Sequence, residues 1–126
     1  MAYFKDLREH IAALDQAGLL VKIDEQINKD TELMPLVRWQ FRGLSEEERR
    51  AFMFTNVIDA KGRKYDIPVV VGTLAASRQI YGFGLQCKPE EIVDRWSKAQ
   101  SNPIPPNVVE KAPVHEVVYK GASLME

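Results

Sequence analysis

Four prolines, Pro103, Pro105, Pro106 and Pro113, stand within eleven residues of one another in the last quarter of the chain. Each fixes φ and removes a backbone donor, so neither a helix nor a central strand runs through such a stretch, and residues 101–113 are expected to form an extended linker. Any packed domain must then be built from residues 1–100, with 114–126 lying past the linker. A chain of 126 residues is about one domain long, and a unit of this size removes roughly two-thirds of its unfolded surface from water.

Before the linker, hydrophobic periodicity marks out an alternation of helices and strands. Phe4, Leu7, Ile11 and Leu14 recur at helical spacing with Lys5, Arg8, Glu9 and Asp15 between them, and Gly18 follows where a left-handed cap belongs. Leu19 to Asp24 then alternates, with Val21 and Ile23 on one side. Asp30 or Thr31 is placed to cap a second helix carrying Leu33, Leu36, Val37 and Phe41, with Pro35 near its start. Ser45 and Glu48 have the spacing of a capping box. Ala51 to Val57 and Ile67 to Val71 read as strands on either side of the polar turn Lys61-Gly62-Arg63-Lys64. A helix is expected within Leu74 to Phe83, and another from Pro89 with Ile92, Val93 and Trp96 on one face. The fold class is therefore α+β (α/β), a small mixed sheet with three to four packed helices. Val114 to Tyr119 alternates like a strand, but a lone strand has nothing to pair with, so 114–126 is expected to open a further domain.

Composition closes off several functions. Seventeen Lys and Arg balance eighteen Asp and Glu, a formal net charge of −1 without a dense basic cluster, so the electrostatic footprint of nucleic-acid binding is missing. The apolar runs fall well short of the ~20 residues needed to cross a bilayer, and MAYFKDLREH lacks the apolar core of a signal peptide. The single cysteine, Cys87, forms no intrachain disulfide, which fits the reducing cytoplasm.

Chemistry-bearing residues are few. His10, His115 and Cys87 lack metal-ligand spacing from one another, and Cys87 as a nucleophile would need a histidine delivered by the fold. The acidic groups Asp24-Glu25, Glu46 to Glu48 and Glu90-Glu91 sit where helix starts and solvated faces attract negative charge. Gly72-Thr73-Leu74-Ala75-Ala76-Ser77-Arg78 joins a strand to a helix, so its amides and Arg78 form a candidate anion site, although the glycine pattern of a nucleotide loop is absent. Against this stands a plain turn with Arg78 in a structural ion pair. Trp39, Trp96, Phe41, Phe52, Phe54 and Tyr81 fall on apolar stripes and are read as core or interdomain packing.

Two blocks carry a family resemblance. Phe4-Lys5-Asp6-Leu7-Arg8 through Leu14-Asp15-Gln16-Ala17-Gly18-Leu19-Leu20 to Ile23-Asp24-Glu25 resembles the start of UbiD-like decarboxylases, a "DLR" helix leading into the first strand and an acidic turn. Phe52-Met53-Phe54-Thr55-Asn56-Val57, then Tyr65-Asp66-Ile67-Pro68-Val69-Val70 and Arg78, is similar to that family's "LFENV…DIPV…R" stretch. Thr73 and Ala75 stand where many relatives have asparagine and glycine, and Lys61 to Lys64 lengthens the preceding turn.

The resemblance implies a reversible, non-oxidative decarboxylase of aromatic or α,β-unsaturated carboxylic acids. It implies prenylated FMN as cofactor, with Mn2+ and K+, a flavin prenyltransferase as its supplier, and a homo-oligomer. The catalytic arginine and glutamates and the metal ligands of such enzymes lie in a split-barrel-like flavin domain beginning near Pro113 to Glu126. No catalytic, cofactor-binding or metal-ligating residue is therefore assigned here, and this portion alone is expected to be inactive. Rival readings are a stand-alone interaction or scaffold module of the same fold and a small phosphate-binding domain built on Gly72 to Arg78.

Overall fold

The computed structural model describes residues 3–121. Helix α1 (Leu7–Gln16) starts at Asp6, whose carboxylate accepts from the Glu9 amide at 2.9 Å, while the Glu9 side chain accepts from the Lys5 amide. Its end lies where the sequence puts it. Gly18 takes φ +69°, and the Leu19 amide reaches back to the Leu14 carbonyl. The remaining elements are β1 (Leu20–Ile23), β2 (Ile27–Asn28), α2 (Leu33–Gly43), β3 (Ala51–Phe54), β4 (Val57–Ile58), β5 (Lys64–Tyr65), β6 (Val69–Val71), α3 (Arg78–Leu85) and α4 (Ile92–Ser101). Short 3-10 turns occupy Glu46–Glu48, Pro89–Glu91 and Pro113–His115.

The expected α+β architecture is present, but the strands form two small mixed sheets, ordered β1-β3-β6 and β2-β4-β5. In each, the first pair is parallel and the second antiparallel. The strand expected over Ala51 to Val57 is interrupted, because Asp24, Glu25 and Gln26 on the neighbouring strand face only Thr55 and Asn56. One extra residue on one side of a ladder breaks the pairing and bends the ribbon, as in a bulge. Thr55 ties the break together by donating its hydroxyl to Asp24. The second sheet closes through Asp59, whose carboxylate accepts from the Lys61 and Arg63 amides and from the Tyr65 hydroxyl.

Period-two alternation gives the first sheet two faces. Ile23, Phe52, Phe54, Val69 and Val71 point to one, where Leu33 and Val37 of α2 join Ile27, Phe54 and Val57 in a buried cluster. Leu20 and Ala51 point to the other, packed with Leu14 of α1 and Ala76 and Ile80 of α3. Each fully buried side chain of this size contributes about 1.5–3 kcal/mol of transfer free energy, so these two clusters hold the layers together.

The inward stripe of α2 differs from the expected one: Leu33, Val37 and Gln40 are buried, whereas Leu36 and Phe41 are exposed. Gln40 goes inward because its side-chain oxygen accepts from the Arg50 amide, at 3.0 Å, just before β3. Neither Asp30 nor Thr31 caps α2; both donate their amides to the Asn28 side chain, and Glu32 occupies the cap position. Val21 is exposed although Ile23 on the same side is not. Ile67 and Pro68 precede β6 rather than belonging to it, and Leu74 lies in the turn before α3.

Helix α4 buries no residue and is held to α3 by the Trp96 indole, which donates to the Tyr81 hydroxyl at 2.6 Å. Residues 102–112 carry no helix or strand, in keeping with their prolines. Val114 to Tyr119 does not form the expected strand. The Pro113–His115 turn and exposed residues stand there, and among the described residues the segment pairs with no strand of either sheet. Ser123 to Glu126, within the segment expected to open a further domain, lie outside the described residues.

Candidate functional site

Strand β6 delivers the chain to Gly72, which adopts φ +76°. A Cβ there would stand 3.0 Å from that of Ala76, so the turn requires glycine for both conformation and space. The next residue, Thr73, is buried, and its carbonyl accepts from Nε2 of His10 at 2.8 Å. A carbonyl only accepts, so Nε2 is the donor in this contact, while Nδ1 is buried without a hydrogen-bond partner. His10 is packed edge-on to Phe4, with ring centres 4.9 Å apart, and lies beside Phe83. It pins α1 to the turn and is committed to structure.

Ser77 caps α3 by accepting from the Ile80 amide. The adjacent Arg78 amide, where an incoming anion would dock, already donates to Glu46 at 2.6 Å. The Arg78 guanidinium grips the same carboxylate through Nε, 3.2 Å from each oxygen, and through a terminal nitrogen at 3.1 Å. The Arg78 side chain, through these hydrogen bonds, holds the Glu46 carboxyl below its ordinary value, and Glu46 in turn raises Arg78. A cleft of about 250 Å³ beside the pair is lined by Glu46, Glu47 and Glu90 as well as Arg78. The candidate anion site is thus filled by the chain's own carboxylate and edged with more negative charge, so of the two readings of this turn the structural ion pair of Arg78 is the one present and the phosphate site is not.

The other candidates serve local structure. Asp24 receives the Thr55 hydroxyl, Glu48 the Ser45 amide at 3.1 Å, and Glu91 the Lys88 amide at 2.9 Å. Half-buried Cys87 donates its amide to the Gly82 carbonyl, and among the described residues no hydrogen bond joins it to either histidine. His115 is exposed on the C-terminal segment. Among the described residues no group of three His, Cys, Asp or Glu side chains is arranged to hold a metal ion, and no helix is long and apolar enough to cross a membrane.

Of the aromatic residues, Phe52 and Phe54 stack in the α2 cluster, with ring centres 5.9 Å apart. Trp39 is not part of the core: it is 78% exposed on the outer face of α2. The contacts that sequence reasoning missed, Glu46 with Arg78 and His10 with Thr73, join residues far apart in the chain. Glu46 was visible only as part of a local capping pattern.

Comparison with known proteins places residues 11–100 on the model of the 3-octaprenyl-4-hydroxybenzoate carboxy-lyase N-terminal domain, UbiD_N. A phenolic acid decarboxylase of Sedimentibacter hydroxybenzoicus is 30% identical over 131 aligned residues, covering 98% of this chain and 26% of the relative. Among solved structures, vanillic acid decarboxylase from the same organism, in open form with truncated ShVdcD, superimposes with TM-score 0.66 at 28% identity, covering 92% of this chain and 24% of the other. A second open-form structure of that enzyme gives TM-score 0.61 at 27% identity, covering 86% of this chain and 22% of the other. The chain thus spans about a quarter of the length of the relatives it matches.

Proposed function

Since the chain belongs to the UbiD family of carboxy-lyases through that family's N-terminal domain, we propose that it is the supporting N-terminal portion of a reversible, non-oxidative decarboxylase of an aromatic, phenolic acid. The observation that carries this reading is the match over residues 11–100, backed by relatives described as phenolic and vanillic acid decarboxylases. In this reading prenylated FMN, Mn2+ and K+ belong to the enzyme and are held outside this chain. The residues here do not fit them: the described part offers no metal-ligand cluster, and its anion-shaped turn is taken by Glu46. No step of the reaction is routed through these residues. Their work is to build a two-faced layer with α4 and the proline linker at its exit, against which a flavin domain beginning near residue 114 packs. The exposed Val93 of α4, with Val108 and Val117 beyond it, supports this arrangement. A cytoplasmic home, homo-oligomeric assembly and a flavin prenyltransferase as cofactor supplier complete the proposal, the first supported by the lone cysteine.

The test is the ultraviolet-visible spectrum and carboxylate-loss activity of this chain beside its longer parent, both produced with a flavin prenyltransferase. Colour and activity in the parent alone are expected. A parent that binds no flavin would overturn the reading in favour of a non-catalytic scaffold of the same fold.

A further inference from the structure

The two faces of the β1-β3-β6 sheet are covered unequally. Helix α2 lies across one face, whereas on the other α1 and α3 cover the Leu20 and Ala51 end and leave the next cross-strand row open. That row is Lys22, Met53 and Val70, paired in register across all three strands. Leu7 and Ile11 of α1 overhang it, and Ile67 and Pro68 flank it, giving an open groove of about 620 Å³. The apolar stripe of α1 therefore has Leu14 in the core and Leu7, 51% exposed, over the groove, while Ile67 beside it is 75% exposed. Charge is confined to Arg8 and to the Lys22–Asp15 pair, which bond to each other at 2.5 Å.

A floor of sheet and a wall of helix define the space of one more helix in the same layer, about 8–10 Å from α1. Helix α3 packs on this face and α4 packs on α3, so the chain runs on from the groove's own side of the sheet. Relatives are about four times as long as this chain, which supplies the missing length. A second copy of the same surface is a poorer occupant, because two concave grooves facing one another leave the space unfilled.

We propose that the groove over Met53 and Val70 seats a helix with an apolar stripe from the part of the decarboxylase that follows this domain; this rests on the function proposed above. Hydroxyl-radical footprinting of the 126-residue chain and of the longer parent tests it, with fully buried Phe54 unmodified in both as the sign of a folded domain. Met53 is expected to oxidise about tenfold more slowly in the parent, since oxidation follows exposure. Met34 on the outer face of α2 serves as the reference. Equal oxidation of Met53 in both proteins overturns the proposal, as does protection that grows with concentration in the 126-residue chain alone, which would assign the groove to a second copy. A coloured, active parent with an open Met53 sinks this inference alone. A parent without flavin sinks the functional reading, while Met53 still reports on the groove.

Discussion

Ala51–Phe54 and Val114 to Tyr119 look alike as sequence, and only the first becomes a strand. Both are short and rich in apolar side chains, the first bounded by Arg50 and Thr55 and the second by Pro113 and Lys120. Ala51–Phe54 enters between β1 and β6 and bonds on both edges, with Phe54 sealed under α2. Val114 to Tyr119 lies past the prolines with no strand beside it, and its valines stay exposed. A strand is thus made by its neighbours as much as by its pattern, since an unpaired ribbon leaves its backbone groups to water and gains no packing.

The contrast is sharpened most by cutting into the paired member. Phe54→Ala removes a fully buried ring from the α2 cluster and is expected to cost about 3–5 kcal/mol in urea unfolding. Ile80→Ala, under the opposite face, is expected to cost about 2–5 kcal/mol by the same measurement. His10→Ala leaves the Thr73 carbonyl buried without its donor, a loss of about 1–3 kcal/mol read from the same transition. If Phe54→Ala and Val117→Ala proved equal, the idea that pairing separates the two segments would be wrong.

Glu46→Gln is a gentler intervention whose signature is its pH dependence. Arg78 holds the Glu46 carboxyl below its ordinary value of 4.5. The stability it contributes is complete above that value and is lost as pH falls through the lower, folded-state value. The variant should be less stable than the unsubstituted chain at neutral pH, and the gap should close on acidification, as followed by thermal midpoints across pH. A gap that widened in acid would contradict the assignment. Smallest of all, Val108→Ser and Val117→Ala in the exposed segment are expected to move unfolding by no more than about 0.5 kcal/mol.

Signals that restrict the backbone locally survived into the structure, whereas the expected Asp30 or Thr31 cap and the Val114 to Tyr119 strand did not. Gly18 after α1, Pro89 opening a turn into α4 and the irregular stretch 102–112 among the prolines could be read from neighbours along the chain, because backbone restriction is a property of one or two residues. Sheet order was not legible, since the pairing of Leu20 with Ala51 depends on a crossover through α2. The break at Thr55-Asn56 was hidden for the same reason: its cause lies opposite, in Asp24 to Gln26. The inward turn of Gln40 has its explanation at the Arg50 amide. At the candidate anion site the glycine turn and the helix start were visible, and the carboxylate that fills it was not.

The parallel pairing of β1 with β3 also sets an order of events during synthesis. Only β4 and β5 join strands adjacent in sequence, around the Asp59 turn, so that hairpin can close as soon as it leaves the ribosome. Every pair in the larger sheet spans more chain, and its second edge is supplied by Val69–Val71. Closing long loops delays a fold. The nascent chain therefore carries α1, β1 and α2 with apolar sides not fully covered until β6 and then α3 emerge, and this interval is when the domain is most exposed to chaperones and to misassembly.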